Sequence, residues 1–230
     1  HDEGINFQRL MNSWESARQK LSYLQRPKDP LLCRDQEHAK LKEILESMLT
    51  PYDKAGHVLG GVVFIAGVPG TGKTATYRIV ASQLKSEMKR QNKDNSSSTL
   101  GLQQSTFRAF IRLEVNAMKL SQPRMVYPHL WFTLNRKIQQ MEGNQWTDWK
   151  QILGVEAAQQ QLDQYFRGEG ESAERQSARL PILLLLDEIE LLMTKDQQIL
   201  YTLFEWARLP TAKLVLVGIA NMLDLPERVH

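Results

Sequence analysis

Gly67-Val-Pro-Gly-Thr-Gly-Lys73-Thr74 is the stretch from which the rest of the chain can be read. Its glycines permit backbone turns closed to other residues, so that successive N–H groups converge on one point. Such a nest attracts an anion, and a helix starting at Lys73 adds the positive end of its dipole. The fixed positions agree with G-x-x-x-x-G-K-[ST], the loop that cradles phosphates between a strand and a helix. The flanks agree too: an apolar run at 61–66 precedes the loop, and a helical pattern over about 74–91 follows it. The spacing assigns Val68, Pro69, Gly70, Thr71, Gly72, Lys73, Thr74 and Ala75 to binding ATP. Lys73 is expected to reach the β- and γ-phosphate oxygens, and the Thr74 hydroxyl to ligate Mg2+.

Working outward, Ile182-Leu-Leu-Leu-Leu-Asp187-Glu188 reads as a strand buried on both faces that ends in an acidic pair. Ligands of open α/β sheets bind at the carboxyl ends of the strands, where this pair would stand. Asp187 is the expected Mg2+ ligand, and Glu188 the group that orients and polarises an attacking water. A third apolar run, Leu214-Val-Leu-Val-Gly-Ile-Ala220, is followed by Asn221. Placed between the other two strands, it would aim the Asn221 amide at the γ-phosphate and the water. Glu190 is left facing solvent, and Thr194-Lys-Asp-Gln197 has the spacing of a helix cap.

The remaining pattern is strand and helix in alternation. Strands are expected at 61–66, 110–115, 182–186 and 213–219, with helices at about 35–48, 74–91, 123–141, 155–167 and 195–208. That alternation implies an α/β fold, a parallel sheet flanked by helices. Residues 1–30 read as an N-terminal helix and a Pro-containing linker, and 31–230 as one nucleotide-binding unit. Two polar stretches, 91–99 and about 141–177, read as surface insertions, the first as a loop. The chain begins at His1 and stops at His230 in mid-pattern, so it reads as a segment of something longer.

Composition narrows the class further. At 230 residues and 42% hydrophobic, the chain can bury one core. No apolar run approaches the ~20 residues of a membrane-spanning helix. A net charge of +3 permits nucleic-acid binding without requiring it. The single Cys33 excludes an internal disulfide, and the five histidines show no metal-ligand spacing.

Beyond the loop and the acidic strand, the sequence resembles the AAA+ initiator family, in particular the largest subunit of the eukaryotic origin recognition complex. The resemblance rests on Leu32-Cys-Arg-Asp-Gln-Glu37, 67–76, Glu114-Val-Asn-Ala-Met-Lys-Leu120, Asp187-Glu-Ile-Glu-Leu-Leu192, Leu203-Phe-Glu-Trp206 and Ile219-Ala-Asn-Met-Leu-Asp-Leu-Pro-Glu-Arg-Val229. It implies a P-loop NTPase fold of the AAA+ type, cut at its C-terminus before the last strand and the lid. It matches 67–74 to Walker A, Asp187 and Glu188 to Walker B, and Asn221 to sensor 1. It also places Leu32 and Arg34 in the stretch against the adenine base, although Leu31 and Leu32 serve equally well as core residues. Glu190 stands where the family usually has Asp.

The resemblance also implies a helical insertion after the second strand that touches duplex DNA, with Lys119 and Arg124 on phosphates. Two solvated surface cations would look the same. The implied partners are the other origin recognition complex subunits, duplex DNA, cell division cycle protein six and the replicative MCM helicase, in the nucleus and with no membrane. The implied activity is a weak ATPase completed by a neighbouring subunit's arginine. A helicase-loading paralogue, a merged single-chain initiator and a non-hydrolysing ATP-gated DNA-binding scaffold are the alternatives.

Overall fold

A computed structural model describes residues 34–52, 58–97, 109–142 and 153–221. The expected first helix, its linker and Leu32 lie outside them, as does the 222–229 block. The apolar runs form four strands, β1 (Gly61–Ala66), β2 (Ile111–Asn116), β3 (Ile182–Asp187) and β4 (Leu214–Ala220). All neighbours are parallel, in the order β1-β4-β3-β2. β4 therefore sits between the loop strand and the acidic strand, as anticipated. Ala66 pairs with Ala220, Asp187 with Ile219 and Asn116 with Asp187. The four carboxyl ends thus share one edge of the sheet.

Alternating side chains of a strand face opposite sides, and both sides are covered here. Leu183, Leu185, Val215, Val217 and Ile219 pack under α1 (Asp35–Leu49) and α2 (Lys73–Ser97). Leu41, Leu45 and Leu49 of α1 recur every four residues, the stripe that a helix needs to lie on that face. Ile182, Leu184, Leu186, Leu214 and Leu216 fill the other core. It is closed by α3 (Val126–Glu142), α4 (Val155–Arg167) and α6 (Gln198–Arg208).

Three expectations are corrected. The stretch 91–99 is not a loop throughout, because α2 continues to Ser97. Extending a helix costs far less than starting one, so α2 runs on through Asn, Asp and Ser residues that would not begin a helix themselves. Polar composition there does not mark the end of the helix.

The second insertion is only partly a surface feature. Its helix α4 buries Ala158, Leu162 and Phe166 in the main core, and Gly168 ends it in the left-handed conformation. Asp163 accepts a 2.8 Å hydrogen bond from the indole of fully buried Trp206, which stacks on Phe166 at 5.0 Å. A short helix, α5 (Ala173–Ala178), follows and had no counterpart in the sequence reading. Leu162→Ala is expected to cost about 2–4 kcal/mol, as for other buried leucines. Denaturant unfolding checks this, and a loss below about 0.5 kcal/mol would return α4 to the surface.

Thr194 is not a helix cap. Its hydroxyl bonds to Asp196, and α6 begins after Gln197, whose φ of 49° turns the chain into the helix.

Candidate nucleotide and metal site

β1 delivers the chain to the loop, where Gly70 and Gly72 adopt φ of 75° and 84°. Side chains are strained in that region, which explains glycine at both positions. A Cβ added to Gly70 would meet nothing within 4 Å, so it is the positive φ and not crowding that calls for glycine there. Thr71 braces the turn by donating to the Val68 carbonyl at 2.8 Å. The first turn of α2 opens at Lys73, and its N–H groups have no partners within the helix.

Lys73 is only 7% exposed. Its ammonium donates to the Gly67 carbonyl, the Val68 carbonyl and Asn221 Oδ1, each at 2.9 Å. All three donors are used, which holds the charge between the loop and the end of β4. Beside it, Thr74 Oγ1 donates toward Asp187, whose two carboxylate oxygens both lie at 3.2 Å. The sheet thus brings together a hydroxyl and a carboxylate that are 113 residues apart. Oxygen donors alone suit a hard cation such as Mg2+, so the residues present fit that ion.

Glu188 follows with φ of 57° and ψ of 45°, a left-handed conformation that costs a non-glycine residue about 1–2 kcal/mol. Strain of this kind persists where the surroundings hold it, commonly at functional sites. Here it turns the chain sharply out of β3 into a 3-10 turn, Ile189–Leu192, and Glu188 Oε2 accepts from Asn221 Nδ2. The Asn221 amide therefore bridges Lys73 and Glu188. Its orientation follows from chemistry, since lysine only donates and a carboxylate accepts.

Burial pushes both carboxyls up from their ordinary range. For Asp187 the hydrogen bond from Thr74 and the charge of Arg78 oppose that rise. For Glu188 the negative charges of Glu190 and Asp187 add to it, and the Asn221 amide opposes it. Glu190 is thus no bystander in solvent. Its Oε1 accepts the Asn221 backbone N–H at 3.1 Å, a link across 31 residues that spacing along the chain does not reveal.

The other expected residues fall nearby or outside. Val68 and Pro69 are exposed on the loop, and Ala75 lies in the first turn of α2. Arg34 stands at the start of α1 in a 3.8 Å ion pair with Glu37, and Leu32 is not among the described residues. Lys119 and Arg124 are exposed on two 3-10 turns after β2, Ala117–Lys119 and Pro123–Met125. Asn116 caps the first turn by accepting from the Met118 N–H at 2.9 Å. Lys119 also lines a cleft with Arg78, Glu114, Asn116, His129 and Asp187, so this turn borders the acidic strand end. Among the described residues no cluster of three His, Cys, Asp or Glu side chains is arranged to hold a metal, and no helix is long and apolar enough to cross a membrane.

Parallel strands in this order, a glycine loop opening a helix, and a Thr74–Asp187 pair at the strand ends define a P-loop nucleotide-binding domain. Residues 63–229 match the family AAA, described as ATPase family associated with various cellular activities, and the chain belongs to that family. It is 32% identical over 215 residues to origin of replication complex subunit 1 of Oryza sativa subsp. japonica, covering 94% of this chain and 22% of that protein. Against origin recognition complex subunit 1 of Homo sapiens the identity is 33% over 215 residues, 94% of this chain and 20% of that one. A chain in the structure of Drosophila ORC bound to DNA superposes with a TM-score of 0.63 at 31% identity, covering 93% and 44%. The chain thus spans about a fifth of the length of the curated relatives it matches.

Proposed function

We propose that this is the ATP-binding and ATP-hydrolysing part of a subunit of a DNA replication origin recognition complex. The subunit would use ATP to assemble on origin DNA in the nucleus and to help load the replicative helicase. The observation that carries the reading is the Lys73–Asn221–Glu188 bridge standing beside the Thr74–Asp187 pair. Similarity to origin recognition complex subunit 1 over most of the chain supports the assignment to origins.

In this reading the loop N–H groups and Lys73 bind the β- and γ-phosphates of ATP. Thr74 and Asp187 would hold Mg2+, which neutralises phosphate charge when bound. Asn221 donates to Glu188 and keeps its carboxylate at the strand end, where Glu188 orients water and takes up its proton. Phosphoryl transfer also needs positive charge on the outer phosphate oxygens. Supplied by an arginine from a neighbouring subunit, that charge makes hydrolysis depend on assembly. ATP then favours the assembled state because it binds that state more tightly. Lys119 and Arg124 meet DNA phosphates, a contact that carries no sequence information and weakens with salt.

The test is to purify the tagged full-length protein from cells with ATP present, alongside Lys73→Ala. Recovery of the other complex subunits with the parent protein, and their loss with the variant, is the expected result. Recovery of only cell division cycle protein six or the MCM helicase, or of no partner, would overturn the complex-subunit reading. A non-hydrolysing scaffold has no use for the strained, bridged Glu188, and replacement of that residue separates the two.

A further inference from the structure

We propose that Glu190 is a positioning residue for hydrolysis, acting through Asn221; the inference rests on the function proposed above. Glu190 sits in the 3-10 turn Ile189–Leu192, whose Ile189 and Leu192 are buried at 0% and 1% exposure. The turn lies tightly on β4: a Cβ on Gly218 would come within 2.9 Å of Ile189 Cδ1. From that fixed base the Glu190 side chain reaches to the end of β4, where Oε1 accepts the Asn221 N–H at 3.1 Å. Asn221 is the first residue beyond the strand, so no neighbouring strand holds its N–H. The Asn221 side chain, fixed at its root by this bond, contacts Lys73 at one end and Glu188 at the other.

Stability alone is a poor reason for this arrangement. Glu190 Oε2 is buried and has no hydrogen-bond partner among the described residues. Its charge also stands close enough to Glu188 to hinder ionisation there. A neutral acceptor would give the Asn221 N–H the same bond without setting a second negative charge beside Glu188. Reach is the other requirement. Aspartate, the residue the resembling family usually carries here, is one methylene shorter, about 1.5 Å, and would fall short of the Asn221 N–H from the turn as this chain holds it.

The test uses the full-length protein in its assembled state, with Mg-ATP, and reads turnover at saturating ATP together with ATP affinity. Glu190→Asp is expected to slow turnover about 10–100-fold, the scale of a misplaced catalytic contact, with affinity within about 3-fold of the parent. Glu190→Gln, which keeps an acceptor of the same length, is expected to stay within about 3-fold of the parent. In an Asn221→Ala background Glu190→Asp is expected to have no further effect on turnover, because the group it positions is gone. Glu190→Ala gives the same comparison should Glu190→Asp fail to be recovered folded. Parental turnover in Glu190→Asp, equal losses in the Gln and Asp variants, or additive losses with Asn221→Ala would each overturn the proposal. Glu188→Gln is run in parallel. If it leaves turnover unchanged the proposed function fails, whereas a loss there with none at Glu190 overturns this inference alone.

Discussion

Lys73→Ala is expected to weaken ATP binding on the order of 100-fold. Hydrogen bonds from a charged donor contribute about 1.5–3 kcal/mol each, and 1.4 kcal/mol is a factor of ten in affinity. The Lys73 ammonium is buried and held beside the loop by Gly67, Val68 and Asn221, so its position is set before any phosphate arrives. Preorganised charge of this kind binds without the entropy of ordering a long side chain. The loss is best read as a thermal shift. At an ATP concentration about 100 times the parent's Kd, the ligand stabilises by about 2.7 kcal/mol; weakened 100-fold, it stabilises by about 0.4 kcal/mol. For a domain of this size those figures correspond to Tm gains of about 5–10 °C and about 1 °C. A Lys73→Ala variant with the parent's full ATP-induced shift would remove Lys73 from the site. Lys73→Arg is not expected to rescue, because a planar fork cannot place a single charge at the same point.

The sequence showed the sheet more plainly than the site. β3 up to Asp187 and the whole of β4 are apolar because both faces are buried, and such short continuous runs mark strands here. The loop was legible because every glycine and the lysine answer to a backbone or charge requirement at a fixed offset. What escaped notice depends on contacts between distant residues. Ala158, Leu162 and Phe166 show a helical stripe, but nothing local says that it faces Trp206. Gln91 to Ser97 are polar and read as loop, although polarity constrains side chains and not backbone. Glu190 looked like surface because its partner is a main-chain N–H, a donor that every residue except proline carries and that no motif advertises. The left-handed backbone of Glu188 is not legible in the sequence, because a non-glycine residue carries no local sign of a positive φ.

Glu188→Gln is the substitution expected to separate binding from hydrolysis. The amide keeps the length of the side chain and can still accept from Asn221 Nδ2, so the bridge to Lys73 survives. It cannot take a proton from water, and removing a general base costs about 100- to 10,000-fold in turnover. ATP affinity is expected to stay within about 3-fold of the parent. The same variant tests the electrostatics. Burial and the neighbouring Glu190 raise the Glu188 pKa above its unfolded value, so the folded chain holds that proton more tightly than the unfolded one. Stability from this group is fully present below the ordinary carboxylate range and is lost as pH rises through the folded-state value. The ionised form of Glu188 therefore destabilises the fold relative to the protonated form, and glutamine is expected to raise Tm at neutral pH, the usual sign for a site kept for function. The gain is expected to shrink as pH falls and the parent's carboxyl becomes neutral too. Melting curves at pH 7 and pH 3.5, with single-turnover hydrolysis in the assembled complex, check both halves. A Glu188→Gln variant that hydrolyses ATP at the parental rate would leave this chain a nucleotide-gated scaffold, and the strained, bridged carboxylate at the end of β3 would then need another purpose.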